Sequence, residues 1–93
     1  MFNGFIKNGE VPPPIRVHEL KCLPQYMRNV IYGEKRFEIR INDRDYQVGD
    51  MFILREWSPE HGYTGLRYQD QIKYVLKDVP EYGLQEGYCI FGW

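Results

Sequence analysis

Lys35, Glu38 and Arg40 stand in the run Gly33-Glu34-Lys35-Arg36-Phe37-Glu38-Ile39-Arg40, the segment of this 93-residue chain whose residue types are best suited to chemistry. On a strand, side chains alternate between faces, so Glu38 and Arg40 project together and Lys35 sits near the strand's mouth. Arginine grips a phosphate or carboxylate with a two-pronged guanidinium, and lysine meets it as a point charge. Glu38 can orient Arg40 or accept a hydrogen bond from a base or an amide. The competing reading is a solvated strand face whose charges neutralise one another at little energetic gain.

Four further residues extend the candidate set. His18 and Lys21 fall on an earlier strand, where His18 could donate to a phosphate or base edge, titrate as an acid or base, or serve as a buried structural residue. Arg44, in the polar loop Asn42-Asp43-Arg44-Asp45, could reach an anion. The alternative there is a turn held by Asx hydrogen bonds, with Arg44 paired to a carboxylate. Trp57 could stack on a base or simply pack at the rim of a core. The second histidine, His61, falls in a loop, so no metal site is expected, and no cofactor is expected either. Cys22 and Cys89 are far apart and form no Cys-x-x-Cys pair. They read as ordinary buried thiols rather than as zinc ligands or a disulfide.

The elements that must position these residues follow from periodicity and punctuation. Residues 1–14 contain Gly4, Gly9 and Pro12-Pro13-Pro14. They read as a flexible N-terminal extension, a possible site of self-association through Phe2, Phe5 and Ile6. One domain is expected over residues 15–93. Arg16–Lys21 reads as a first strand with Val17 inward. Pro24 opens a helix to about Tyr32, with Tyr26, Met27, Val30 and Ile31 at helical spacing and Gly33 in the left-handed position that stops it. The period then switches to two: Phe37, Ile39 and Ile41 share one face, Arg36, Glu38 and Arg40 the other. Gly49-Asp50 leads into an apolar strand from Met51 to Trp57. Ser58–Gly65 reads as a hairpin connection and Leu66–Lys77 as the returning strand, with Ile72, Tyr74 and Leu76 on one face. A loop over Asp78–Gly87 precedes a last strand over Tyr88–Trp93.

Five expected strands and one early helix, without β-α-β alternation, predict an α+β domain on a twisted, mostly antiparallel sheet able to curl into a barrel. Aromatic residues make up 16% of the chain, so rings should supply much of the core. The net charge of −1 argues against a protein that coats nucleic acid by bulk basicity. Charge is uneven, however: residues 16–55 carry eight Lys/Arg against six Asp/Glu, and residues 56–93 carry three against six. That pattern suits a small anionic ligand or a short RNA contact better than a long duplex. The apolar run in Met1–Lys7 is too short for a signal peptide and no stretch approaches a membrane span, so the cytoplasm is the expected location.

The order of helix, Gly-x-Lys-x-x-Glu-x-Arg strand, charged loop, Val48-Gly49-Asp50 and apolar strand resembles the ASCH superfamily, a branch of the PUA-like barrels. The wider string from His18-Glu19-Leu20-Lys21 and Pro24 through Leu54-Arg55-Glu56-Trp57 to Glu86-Gly87-Tyr88 resembles a small branch of it, of unassigned function, found in bacteria and their phages. The resemblance implies a compact PUA-like β-barrel with one principal helix beside a cleft, and a cleft ligand that is RNA or a nucleotide-like small molecule. Some ASCH proteins are amidohydrolases on acetylated cytidine, using a Lys, a Thr and a Glu. Lys35 matches their Lys, so it is the catalytic candidate under that alternative. Glu38 stands where they have Thr, and no later glutamate matches theirs. A lysine acting as base or nucleophile must also shed its proton, whereas a carboxylate three residues on favours the ammonium.

The leading expectation is therefore a binding module in which Lys35, Arg40 and Lys21 contact phosphate, Glu38 orients them, and His18, Arg44 and Trp57 line the site. A small amidohydrolase and a phage or host protein-interaction adaptor are the alternatives.

Overall fold

The computed structural model describes residues 14–93, so the extension expected over residues 1–14, and any self-association through it, lies outside the described residues except for Pro14. The chain runs β1 (Val17–Cys22), α1 (Pro24–Ile31), β2 (Phe37–Ile41), β3 (Met51–Ser58), β4 (Gly62–Gln71), β5 (Tyr74–Lys77), a single 3-10 turn at Pro80–Tyr82, and β6 (Tyr88–Gly92). The strands form two three-stranded sheets, ordered β1-β3-β4 and β2-β6-β5. This is an α+β fold. Its strands are not joined into one closed barrel.

Pairing is antiparallel except between β1 and β3, which run parallel across the connection through α1 and β2. That pairing sets the phase of β1. His18 and Leu20 lie opposite Phe52 and Leu54, the two fully buried residues of β3, so His18, Leu20 and Cys22 turn inward. Val17, expected inward, is exposed, because a shift of one residue moves every side chain of a strand to the other face.

Proline at its first turn starts α1, where the missing N–H leaves no intrahelical bond unmade. Met27 and Val30 face the core, while Tyr26 and Ile31 stay partly exposed. The helix ends one residue before Tyr32, and Gly33 follows at φ 77°, the left-handed conformation expected of it. The N–H groups of Glu34 and Lys35 both donate to the Asn29 carbonyl, at 2.9 and 3.0 Å, folding the chain back toward β2.

The returning strand expected over Leu66–Lys77 is divided. Its N-terminal part starts earlier, at Gly62, and the hairpin connection shrinks to Pro59–His61. After Gln71 the chain leaves the first sheet. The Ile72 N–H donates to the Asp50 carbonyl, its own carbonyl accepts from Gly49, and its side chain enters the core. Beyond Lys73 the chain joins the second sheet, where Tyr74 faces outward, so Ile72, Tyr74 and Leu76 do not share a face.

Both sheets contribute to one ring-rich core. Phe52 from β3 meets Phe91 of β6 at 5.2 Å between centroids and Trp93 at 4.7 Å, and Tyr46 meets Phe91 at 5.1 Å. Each fully buried phenylalanine is worth roughly 2 kcal/mol of apolar burial. The outer face of the second sheet is apolar as well: Phe37, Ile39 and Ile41 of β2 are 48%, 57% and 56% exposed, while Glu38 between them is 5% exposed. The alternation expected in β2 is present, and its polar face is the inner one.

Candidate functional site

Glu38 explains why the charged face of β2 can point inward. Across the sheet it lies opposite Phe91, a core residue, where a lone carboxylate would be costly. Both of its oxygens are occupied. Arg40 donates to Oε1 through Nε at 3.0 Å and Nη2 at 2.6 Å, and the Lys35 ammonium is bound to Oε2. Lys35 also donates to the Phe37 carbonyl at 2.6 Å, and Arg40 Nη2 to the Lys21 carbonyl at 2.7 Å. The second of these bonds ties the free edge of β2 to the end of β1.

Between that edge, the end of β1 and the start of α1 lies an open cleft of about 410 Å³. Its lining combines the charged Lys21, Lys35, Glu38 and Arg40 with the apolar Leu23, Tyr26, Phe37 and Ile39. Cys22 lies at its base. Burial pushes the Cys22 thiol up to about 11, with the Glu38 carboxylate adding to the effect, so it is neutral at neutral pH and offsets no positive charge. Three cations thus face one carboxylate. The ammonium groups also touch ring faces: Lys35 Nζ lies 5.0 Å from the centroid of Phe37 and Lys21 Nζ lies 4.2 Å from that of Trp57.

A family described as a domain of unknown function (DUF3850) matches residues 17–93. The chain belongs to the DUF3850 family. It is similar to an uncharacterized 12.9 kDa protein in the GpA 3′ region of Escherichia phage P2, with 39% identity over 57 residues, 61% of this chain. The match spans about half the length of that phage protein, 51%. In this DUF3850 chain the matched region takes in all six strands and α1, and with them the whole cleft.

The structure brings together Lys21, Lys35, Glu38 and Arg40, with Trp57 touching the group through Lys21. His18 is elsewhere. It is 6% exposed, its Nε2 lies 2.8 Å from Asp50 Oδ2, and its ring meets Tyr46 edge-on at 4.7 Å. Asp50 Oδ2 also accepts the Gln47 N–H at 3.0 Å, so this buried pair ties β1 to the Val48-Gly49-Asp50 turn. Arg44 sits beside the cleft rather than in it, donating through Nη1 to the Glu19 carbonyl at 3.0 Å and not to a carboxylate. The Asx bond expected in its loop is made: Asn42 Oδ1 accepts the Tyr46 N–H at 3.0 Å.

Sequence reasoning missed the apolar lining. Leu23 read as the end of the first strand, Tyr26 as part of the helix, and Phe37 and Ile39 as one face of a strand. Cys22 had a usable signal, its period-two phase with His18 and Leu20. Among the described residues no cluster of three His, Cys, Asp or Glu could hold a metal ion, and no helix is long and apolar enough to cross a membrane.

Proposed function

We propose that the cleft binds a nucleotide-like ligand, free or as part of an RNA. The observation that carries this reading is a cleft lined by three cations together with aromatic and aliphatic side chains, which suits a molecule that has both a flat ring and an anion. Lys35, Arg40 and Lys21 meet the phosphate, and the rings of Tyr26 and Phe37 cover the base. Arg40 Nη1 makes no hydrogen bond among the described residues. Glu38 holds both cations in place before the ligand arrives, which lowers the ordering cost of binding.

Binding is favoured over hydrolysis because Glu38 stands where the hydrolases have Thr, and Lys35 Nζ is engaged by the Glu38 carboxylate and the Phe37 carbonyl. The accompanying fold reading is an ASCH-type, PUA-like arrangement in which the two sheets form an open barrel around the shared aromatic core. The order of α1 followed directly by the Gly-x-Lys-x-x-Glu-x-Arg strand supports it.

The test is a Lys35→Gln, Arg40→Gln double variant, whose amides keep donors for Glu38. Fluorescence anisotropy with labelled nucleoside monophosphates and short RNA should show binding weakened by about tenfold or more, the loss of two charge-assisted contacts. Unchanged affinity in a folded variant, or no binding by the parent, contradicts the proposal.

A further inference from the structure

A second groove, of about 290 Å³, adjoins the cleft and shares two of its residues, Lys21 and Arg40. The rest of its charged lining is Arg44, Arg55 and Glu19, with Tyr63 at its side. Leu20 is its one aliphatic lining residue.

The cations of this groove are held in a particular way. Arg44 donates to the Glu19 carbonyl at 3.0 Å, and Arg40 to the Lys21 carbonyl at 2.7 Å. For Arg44 the carbonyl orients the guanidinium without cancelling its charge, whereas Arg40 also donates to the Glu38 carboxylate. Arg55 is stacked on the Tyr63 ring, 3.8 Å from its centroid, and meets the exposed Glu19 carboxylate only at 3.5 Å. Taken together, cleft and groove present Lys21, Lys35, Arg40, Arg44 and Arg55 against Glu19 and Glu38. That is a local excess of three positive charges on a chain whose net charge is −1. Beyond the cleft, Arg44 and Arg55 line the polar groove that shares Lys21 and Arg40 with it.

We infer that the ligand is a single-stranded polynucleotide, with one nucleotide in the cleft and the adjoining sugar-phosphate backbone running over Arg40 into the groove of Arg44 and Arg55. This rests on the reading of the cleft given above and adds the class of ligand. The division of labour is that of single-strand binding generally: rings take a base, and a basic channel tracks the backbone. A concave cleft closed by α1 on one side takes a splayed base, which a duplex does not offer.

The experiment compares a labelled nucleoside monophosphate with a labelled single-stranded tetranucleotide, made as RNA and as DNA, by fluorescence anisotropy over a salt series. The parent should bind at least one form of the tetranucleotide about tenfold or more tightly than the mononucleotide, since the groove contacts become intramolecular once the cleft is filled. An Arg44→Gln, Arg55→Gln variant should lose that advantage while holding the mononucleotide as the parent does. Its slope of log affinity against log salt for the tetranucleotide should be shallower by about 1.4, two single-strand phosphate contacts. Arg55→Gln alone, which leaves the Arg44 tether to β1 intact, should remove about half of that difference. A mononucleotide bound as tightly as the tetranucleotide, or a variant with the parent's slope, overturns this inference and leaves the cleft reading standing. Binding of neither overturns both.

Discussion

Glu38 is the residue on which the cleft depends. Its carboxylate is buried against the core, and Arg40 and Lys35 keep their positions by donating to its two oxygens. Glu38→Ala removes the shared acceptor and leaves two cations facing each other at the edge of β2. Because Lys35 and Arg40 side chains are 17% and 25% exposed, both can turn partly to solvent, and the cost falls below that of a fully buried pair. We predict a loss of about 2 kcal/mol in urea unfolding, with Glu38→Gln losing less because its amide oxygen still accepts. A Glu38→Ala protein as stable as the parent would show that the triad is not structural. His18 makes a contrasting case. Its pairing with Asp50 and Tyr46 gives it a structural place that chemistry-bearing residue type alone does not reveal.

At the scale of elements, the connection from α1 to β2 decides where Lys35 points. Gly33 sits at φ 77°, and a Cβ built there meets nothing within 4 Å. The cost of a side chain is therefore conformational alone. Gly33→Ala should destabilise by about 1 kcal/mol in thermal or urea unfolding, and Gly33→Asn by less, since Asn tolerates the left-handed region. Equal stability of Gly33→Ala and the parent would contradict the assigned turn. This connection was readable in the sequence because its signals are local: Pro24 can open a helix but not continue one, and Gly33 is suited to stopping one. What was not readable depends on distant partners. Period two in β2 defines two faces, yet the inward turn of Glu38 requires Lys35, Arg40 and the Lys21 carbonyl together. The inward phase of His18 and Leu20 requires the parallel neighbour β3, which starts at Met51, 29 residues after Cys22. The break at Ile72-Lys73 was hidden because a strand that changes sheets keeps its alternation on either side. Tyr46, in a polar loop, is buried only because His18 and Phe91 lie beneath it.

For the whole molecule, the fold gathers charges that the sequence spreads along 35 residues, from Lys21 to Arg55, into the cleft and its adjoining groove. The positive balance of residues 16–55 was legible by counting. That it forms a continuous strip was not, since it takes β1, β2, β3 and the loop of Arg44 to assemble it. The outer face of the second sheet, with Phe37, Ile39, Ile41 and Tyr74 exposed, carries none of these charged groups. The most direct measurement of the central claim is a titration of the isotope-labelled protein with a nucleoside 5′-monophosphate, followed by amide NMR shifts. Shifts should concentrate at residues 21–23 and 35–40 and leave Tyr74–Lys77 and Pro80–Tyr82 in place. The absence of shifts, or shifts confined to those distant segments, would contradict the assignment of the cleft.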